Sequence, residues 1–150
     1  MGTETEPGSA ASGRGLGLPT FACTAIVVSD LNRGIEWYGR ILGFTVVDRM
    51  KIDGATVALL EGAGTQLELL QSDVPSVSTE PSLFADPPDH LLPTGNKFLV
   101  FAVEDLGYAS DQLQQMGVPI IWRGKTLSPG IVSTAIRDFD GNFVHIVQHR

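Results

Sequence analysis

Cysteine is nearly absent from this chain, with Cys23 the single example. One thiol excludes an intramolecular disulfide and a zinc site built from cysteines alone. Nothing therefore calls for an oxidising compartment. Basic residues are also scarce: ten Lys and Arg stand against 17 Asp and Glu, for a formal charge of −7. That balance argues against a phosphate-backbone partner and leaves no basic patch for an anionic membrane. No apolar run approaches the ~18–20 residues that span a bilayer. The N-terminus lacks the basic-then-apolar order of a secretion signal, so a cytoplasmic, soluble protein is the expectation. A phosphate-binding glycine loop, a Ser/His/Asp set and a Cys-x-x-Cys pair are all missing, which removes the commonest competing mechanisms.

What remains suits one compact domain. The chain has 150 residues, 43% of them apolar and 18% charged. Residues 1–19 are rich in Gly, Ser, Thr and Glu without apolar periodicity, and are expected to be a flexible tail. Residues 20–150 form the domain. Phe21–Val28 is apolar and β-branched, as in a strand. Ser29 or Asp30 offers a helix N-cap, Leu31, Ile35, Tyr38 and Leu42 follow at helical spacing, and Gly43 fits the position past the helix end. Three strands come next: Phe44–Met50, Ala55–Glu61 and Gly64–Gln71, joined by Asp53-Gly54 and Gly62-Ala63-Gly64.

Residues 72–96 break the pattern with five of the nine prolines, and are expected to be a linker or lid. Leu83, Phe84, Leu91 and Leu92 suit a segment lying over something apolar. The order then returns. Lys97–Val103 is a strand, Asp105 a cap, and Leu106, Ala109, Leu113 and Met116 a helical stripe ending at Gly117. Val118–Trp122, Ile131–Asp138 and Asn142–Gln148 are three further strands. Asp30 and Asp105, Gly43 and Gly117, and Glu68 and His145 are 75, 74 and 77 residues apart. This near-constant offset indicates an internal duplication. The expected fold is α+β: two tandem βαβββ modules (20–71 and 97–149) forming an open, barrel-like mixed sheet, with a central cleft and helices outside.

Two runs locate the cleft. Side chains alternate along a strand, so Gln66, Glu68 and Leu70 share one face, and Phe143, His145 and Val147 share another. A carboxylate or imidazole among apolar neighbours needs a partner or water. Glu68 and His145, at matching places in the two halves, are thus candidates for proton transfer. Leu70, Phe98, Val100 and Phe143 would give the cleft an apolar floor able to stack on a flat ligand, with Gln66 beside them. Trp122 and Arg123 would contact a ligand from the rim. Trp37 and Tyr38 read as core, Cys23 as packing, His90 as either a lid residue or an exposed one, and His149 as solvated.

The runs Ala25-Ile26-Val27-Val28-Ser29-Asp30-Leu31, Ile35-Glu36-Trp37-Tyr38, Leu42-Gly43-Phe44 and Arg137-Asp138-Phe139-Asp140-Gly141-Asn142-Phe143 resemble the vicinal oxygen chelate superfamily. That group includes glyoxalases, extradiol dioxygenases and the fosfomycin and bleomycin resistance proteins. The resemblance covers residues 21–149 and implies the duplicated fold. It also implies up to four metal positions, here Cys23, Glu68, Phe98 and His145. Glu68 matches the usual carboxylate. Cys23 stands where His is common, His145 where a carboxylate is common, and Phe98 where a second His is common. A phenyl ring cannot ligate a metal.

The first functional expectation is therefore a binding protein with a degenerate metal site. It would sequester a hydrophobic or aromatic small molecule, or transform it without a cofactor through Glu68 and His145. The alternative is a metal-dependent lyase, isomerase or dioxygenase using Cys23, Glu68 and His145 to hold Zn, Ni, Mn or Fe. A third is a structural domain with a filled cleft. By the family resemblance a homodimer is expected, and residues 72–96 are long enough to exchange modules.

Overall fold

Both helices begin with the same pair of devices. Asp30 Oδ1 accepts from Arg33 N at 2.9 Å, and Gln71 Oε1 accepts from Leu31 N at 2.7 Å. In the second half Asp105 Oδ1 accepts from Tyr108 N at 2.9 Å, and Gln148 Oε1 from Leu106 N at 2.8 Å. A carboxylate cap and a strand-borne glutamine thus satisfy N–H groups that a helix start leaves open. The helices are α1 (Leu31–Leu42) and α2 (Leu106–Gln115). Gly43 and Gly117 follow them at φ 76° and 72°, where a side chain would be strained.

The computed structural model describes residues 15–75, 85–92, 94 and 98–150, with the backbone alone for Phe98. Most of the expected tail, along with Leu83 and Phe84, lies outside the described residues. The strands are β1 (Thr24–Val27), β2 (Thr45–Ile52), β3 (Ala55–Gly62), β4 (Thr65–Ser72), β5 (Phe98–Ala102), β6 (Ile120–Ser128), β7 (Ile131–Arg137) and β8 (Phe143–His149). They form two mixed four-stranded sheets, ordered β1-β4-β3-β2 and β5-β8-β7-β6. In each sheet the first and last strands of a module pair in parallel, and the rest is antiparallel. The two-module α+β architecture is as expected from the sequence. Among the described residues the two halves are separate ladders and the arrangement is open, with no closed barrel.

Each sheet puts its helix on one face. Leu67 and Leu69 of β4 join Tyr38, Leu60 and Phe44 in the first core. Val144 and Ile146 of β8 join Leu106, Leu113 and Ile136 in the second. The modules also share their cores. Trp37 and Ile41 pack against the second, while Leu99 and Phe101 pack against the first. A buried hydrogen bond from Tyr38 to Asp138 Oδ2, at 2.8 Å, crosses the junction. Asp138 also accepts from Asp140 N, Asn142 N and Asn142 Nδ2, each at 2.9 Å. Burial and the nearby Asp138 carboxylate push the Tyr38 hydroxyl well above the usual phenol range. At the same turn Ser29 donates to Asp140 through its amide at 2.9 Å and through its hydroxyl.

This packing leaves the faces opposite the helices to form the cleft. Alternation puts Gln66, Glu68 and Leu70 on that face of the first sheet, and Phe143, His145 and Val147 on that face of the second. No helix among the described residues is long and apolar enough to cross a membrane.

Candidate functional site

The two halves of the cleft differ. On the first sheet Cys23, Gln66, Glu68 and Leu70 are half-buried, and Val27 and Met50 are exposed. On the second, Ser133, Ala135, Phe143, His145 and Val147 are all buried. Register explains which residues gather there. Ala135 lies opposite His145, Arg137 opposite Phe143, and Trp122 opposite Ala135. All four side chains therefore share the face of His145.

They form a cluster of rings. The Trp122 and His145 rings meet edge to face with centroids 5.2 Å apart. Phe143 lies 6.3 Å from His145. Trp122 Nε1 donates to Ser133 Oγ at 3.3 Å, which fixes the indole. The fourth ring comes from the linker. Pro88 leads into a short 3-10 turn, Asp89–Leu91. This turn sets the His90 imidazole on Phe143 at 4.7 Å, nearly parallel, and 6.3 Å from Trp122. His90 is only 5% exposed, although its neighbours Leu91 and Leu92 are open to solvent. The expectation of an exposed His90 is not met, because the ring is buried against Phe143.

Two cations border the rings. The Arg137 guanidinium lies over Phe143 at 4.4 Å, and Lys125 Nζ over Trp122 at 4.9 Å. Arg137 also donates to Gly141 O at 2.9 Å and Ala85 O at 3.4 Å, and pairs with Asp86 at 3.1 Å. Burial lowers the pKa of His90, and the charges of Arg137 and Lys125 lower it further. Burial likewise lowers that of His145, with a smaller contribution from His90. Both imidazoles are therefore neutral at neutral pH.

In the first half, Cys23 Sγ donates to Glu68 Oε2 at 3.4 Å. Desolvation, then the hydrogen bond to Glu68 and then its charge, raise the pKa of the thiol. It stays protonated at neutral pH, a poor nucleophile and a poor soft ligand. No hydrogen bond or ion pair among the described residues joins Glu68 to His145. Nor do any three His, Cys, Asp or Glu among those residues stand close enough to share one cation. Of the three expected ligand positions, Cys23 and Glu68 are in contact.

The remaining expected residues divide. Trp122 and Phe143 are in the cluster. Leu70 and Gln66 lie on the cleft face of the first sheet, where Gln66 Nε2 donates to Glu61 at 3.0 Å. Val100 is 55% exposed. Phe98 is in β5, with its side chain outside the described residues. Arg123 points elsewhere, pairing with Asp111 and donating to Gln114 Oε1 at 3.0 Å on α2. Alternation accounts for this, because the residue after an inward Trp122 faces outward. Arg137, not Arg123, brings a guanidinium to the rings. It fell within the expected strand Ile131–Asp138 and was given no site role. Its position opposite Phe143 was available from the pairing of the last two strands.

Cavities surround this arrangement. One of about 620 Å³ lies at the seam of β1 and β5, lined by Cys23, Ala25, Leu99, Asn142 and Phe143 among others. Another, of about 500 Å³, opens beside Asp86, Pro87, Trp122 and Arg137. A third, about 520 Å³, is an apolar groove on the helix side between Ile41, Tyr108 and Met116. The first two adjoin the ring cluster.

The same architecture occurs in known proteins. A glyoxylase/bleomycin resistance protein/dioxygenase domain from Frankia sp. EAN1pec superposes with a TM-score of 0.72 at 21% identity, covering 89% of this chain and 93% of that one. Glyoxalase I of Leishmania major, described as trypanothione-dependent, gives 0.64 at 22% identity, with 87% of each chain covered. The fosfomycin resistance protein FosX of Listeria monocytogenes gives 0.64 at 12% identity, covering 89% and 95%. These likenesses show the fold. Compared by sequence with proteins of curated function, the chain matches none. The family model for the Glyoxalase/Bleomycin resistance protein/Dioxygenase superfamily matches residues 20–146. With the duplicated modules and the cleft between them, that match places the chain in the Glyoxalase/Bleomycin resistance protein/Dioxygenase superfamily.

Proposed function

We propose that this protein binds a flat, largely apolar small molecule in the second half of its cleft and sequesters it. The observation that carries this reading is the cluster of Trp122, Phe143 and His145, three rings on one sheet face, with the His90 ring of the linker laid over Phe143 where a flat molecule would stack. Rings held at fixed angles offer large apolar area and defined stacking directions at little entropic cost. Glu68 and His145 sit on opposite halves without a hydrogen bond between them, which favours binding over paired proton transfer. If the bound molecule is also transformed, neutral His145 would accept a proton, and Glu68 of the other sheet would be the second titratable group.

The test uses the neutral fluorophore N-phenyl-1-naphthylamine. Saturable binding at about one site per chain is expected, weakened roughly tenfold by Trp122→Ala. Absence of saturable binding would remove this reading. A metal-dependent reading draws on one observation, the contact between Cys23 and Glu68, which brings two of the family's ligand positions together. About one equivalent of Zn, Ni, Mn or Fe retained by the purified protein and lost in Glu68→Ala would establish it.

A further inference from the structure

The segment that covers the ring cluster presents two groups to it. Asp86 places a carboxylate 3.1 Å from Arg137 Nη2, and His90, four residues later, places a flat ring 4.7 Å above Phe143. Arg137 and Phe143 are themselves in contact, with the guanidinium 4.4 Å from the ring centroid. One stretch of chain thus offers an acid and an aromatic ring to a guanidinium and a phenyl group that lie side by side. A single small molecule carrying both groups would satisfy the same pair.

The surroundings support a negative charge on that molecule. The chain as a whole is acidic at −7, yet Lys125 and Arg137 border the rings. Guanidinium suits this task, since its planar fork binds a carboxylate through two parallel N–H groups. Asp86 is a weak competitor for it. Its side chain is 89% exposed, against 18% for Arg137, and a solvent-exposed carboxylate contributes little to such a pair. Asp86 and Ala85 meet Arg137 from this segment, and His90 meets the rings.

We infer that the second-module pocket takes a planar aromatic acid, its ring on Phe143 and its carboxylate on Arg137, and that residues 85–92 hold that place with His90 and Asp86 until the acid displaces them. This rests on the aromatic-pocket reading above and adds the charge and the competing segment. An intramolecular competitor lowers apparent affinity by the fraction of time it occupies the site, so weakening it tightens binding.

Calorimetric titration with 2-naphthoate and with its neutral counterpart 2-naphthalenemethanol tests the inference. The acid is expected to bind about tenfold more tightly than the alcohol to the unaltered protein. Arg137→Gln should bring the two to parity, with the alcohol still bound. Asp86→Asn and His90→Ala should each tighten 2-naphthoate about threefold or more, a gain that misfolding cannot imitate. Equal binding of acid and alcohol by the unaltered protein, or no tightening in either segment variant, would overturn the inference while leaving the aromatic pocket intact. Binding of neither probe would overturn both.

Discussion

Tyr38 of the first module donates a buried hydrogen bond, 2.8 Å long, to Asp138 of the second. It joins the first helix to the turn before β8, the strand that carries Phe143 and His145. Removing the hydroxyl by Tyr38→Phe leaves Asp138 with Asn142 and the Asp140 amide, so the expected loss is about 1–2 kcal/mol. Asp138→Ala strands four donors at once and is expected to destabilise by about 3 kcal/mol or more. Urea unfolding of the two variants checks the order.

The histidines set a pH dependence. Burial holds His90 and His145 below the ordinary histidine range in the folded state. Between their folded values and about 6.5, the unfolded chain binds more protons than the folded one. Stability is therefore full above about 6.5 and falls as pH drops through the folded values. Urea midpoints between pH 7.5 and 5 should decline, with a smaller slope in His145→Phe. Both imidazole resonances should titrate below the ordinary range by NMR.

Cys23 is expected to be sluggish. Its thiol is raised by burial and by Glu68, so modification by Ellman's reagent at pH 7.5 should be slower than for free cysteine. Glu68→Gln removes the charge and should accelerate it about threefold or more. Unchanged reactivity in that variant would show that the carboxylate does not control the thiol.

The duplication was legible because capping residues recur at a near-constant interval. Asp30 and Asp105 cap their helices as expected, and Gly43 and Gly117 end them. Gln71 and Gln148, which bond the helix starts, carried no comparable signal, since their partners are known only once the strands are placed. The last part of β6 was missed because Arg123–Ser128 is polar and exposed and its pairing with β7 is irregular. Long-range register holds those residues in a strand, against their composition. Face-sharing around Glu68 and His145 followed directly from alternation. His90 did not, because a proline-rich segment has no period to say which side chain turns inward. The stack on Phe143 is a tertiary contact across 53 residues of sequence.

Amide and indole shifts in a nitrogen-15 NMR titration with 2-naphthalenemethanol test whether the ring cluster of the second module is the binding site. Saturable shifts are expected at the Trp122 indole and at the amides of His90, Phe143 and His145. Shifts confined to the helix-side groove of Ile41, Tyr108 and Met116, or no saturable shift at all, would contradict that placement.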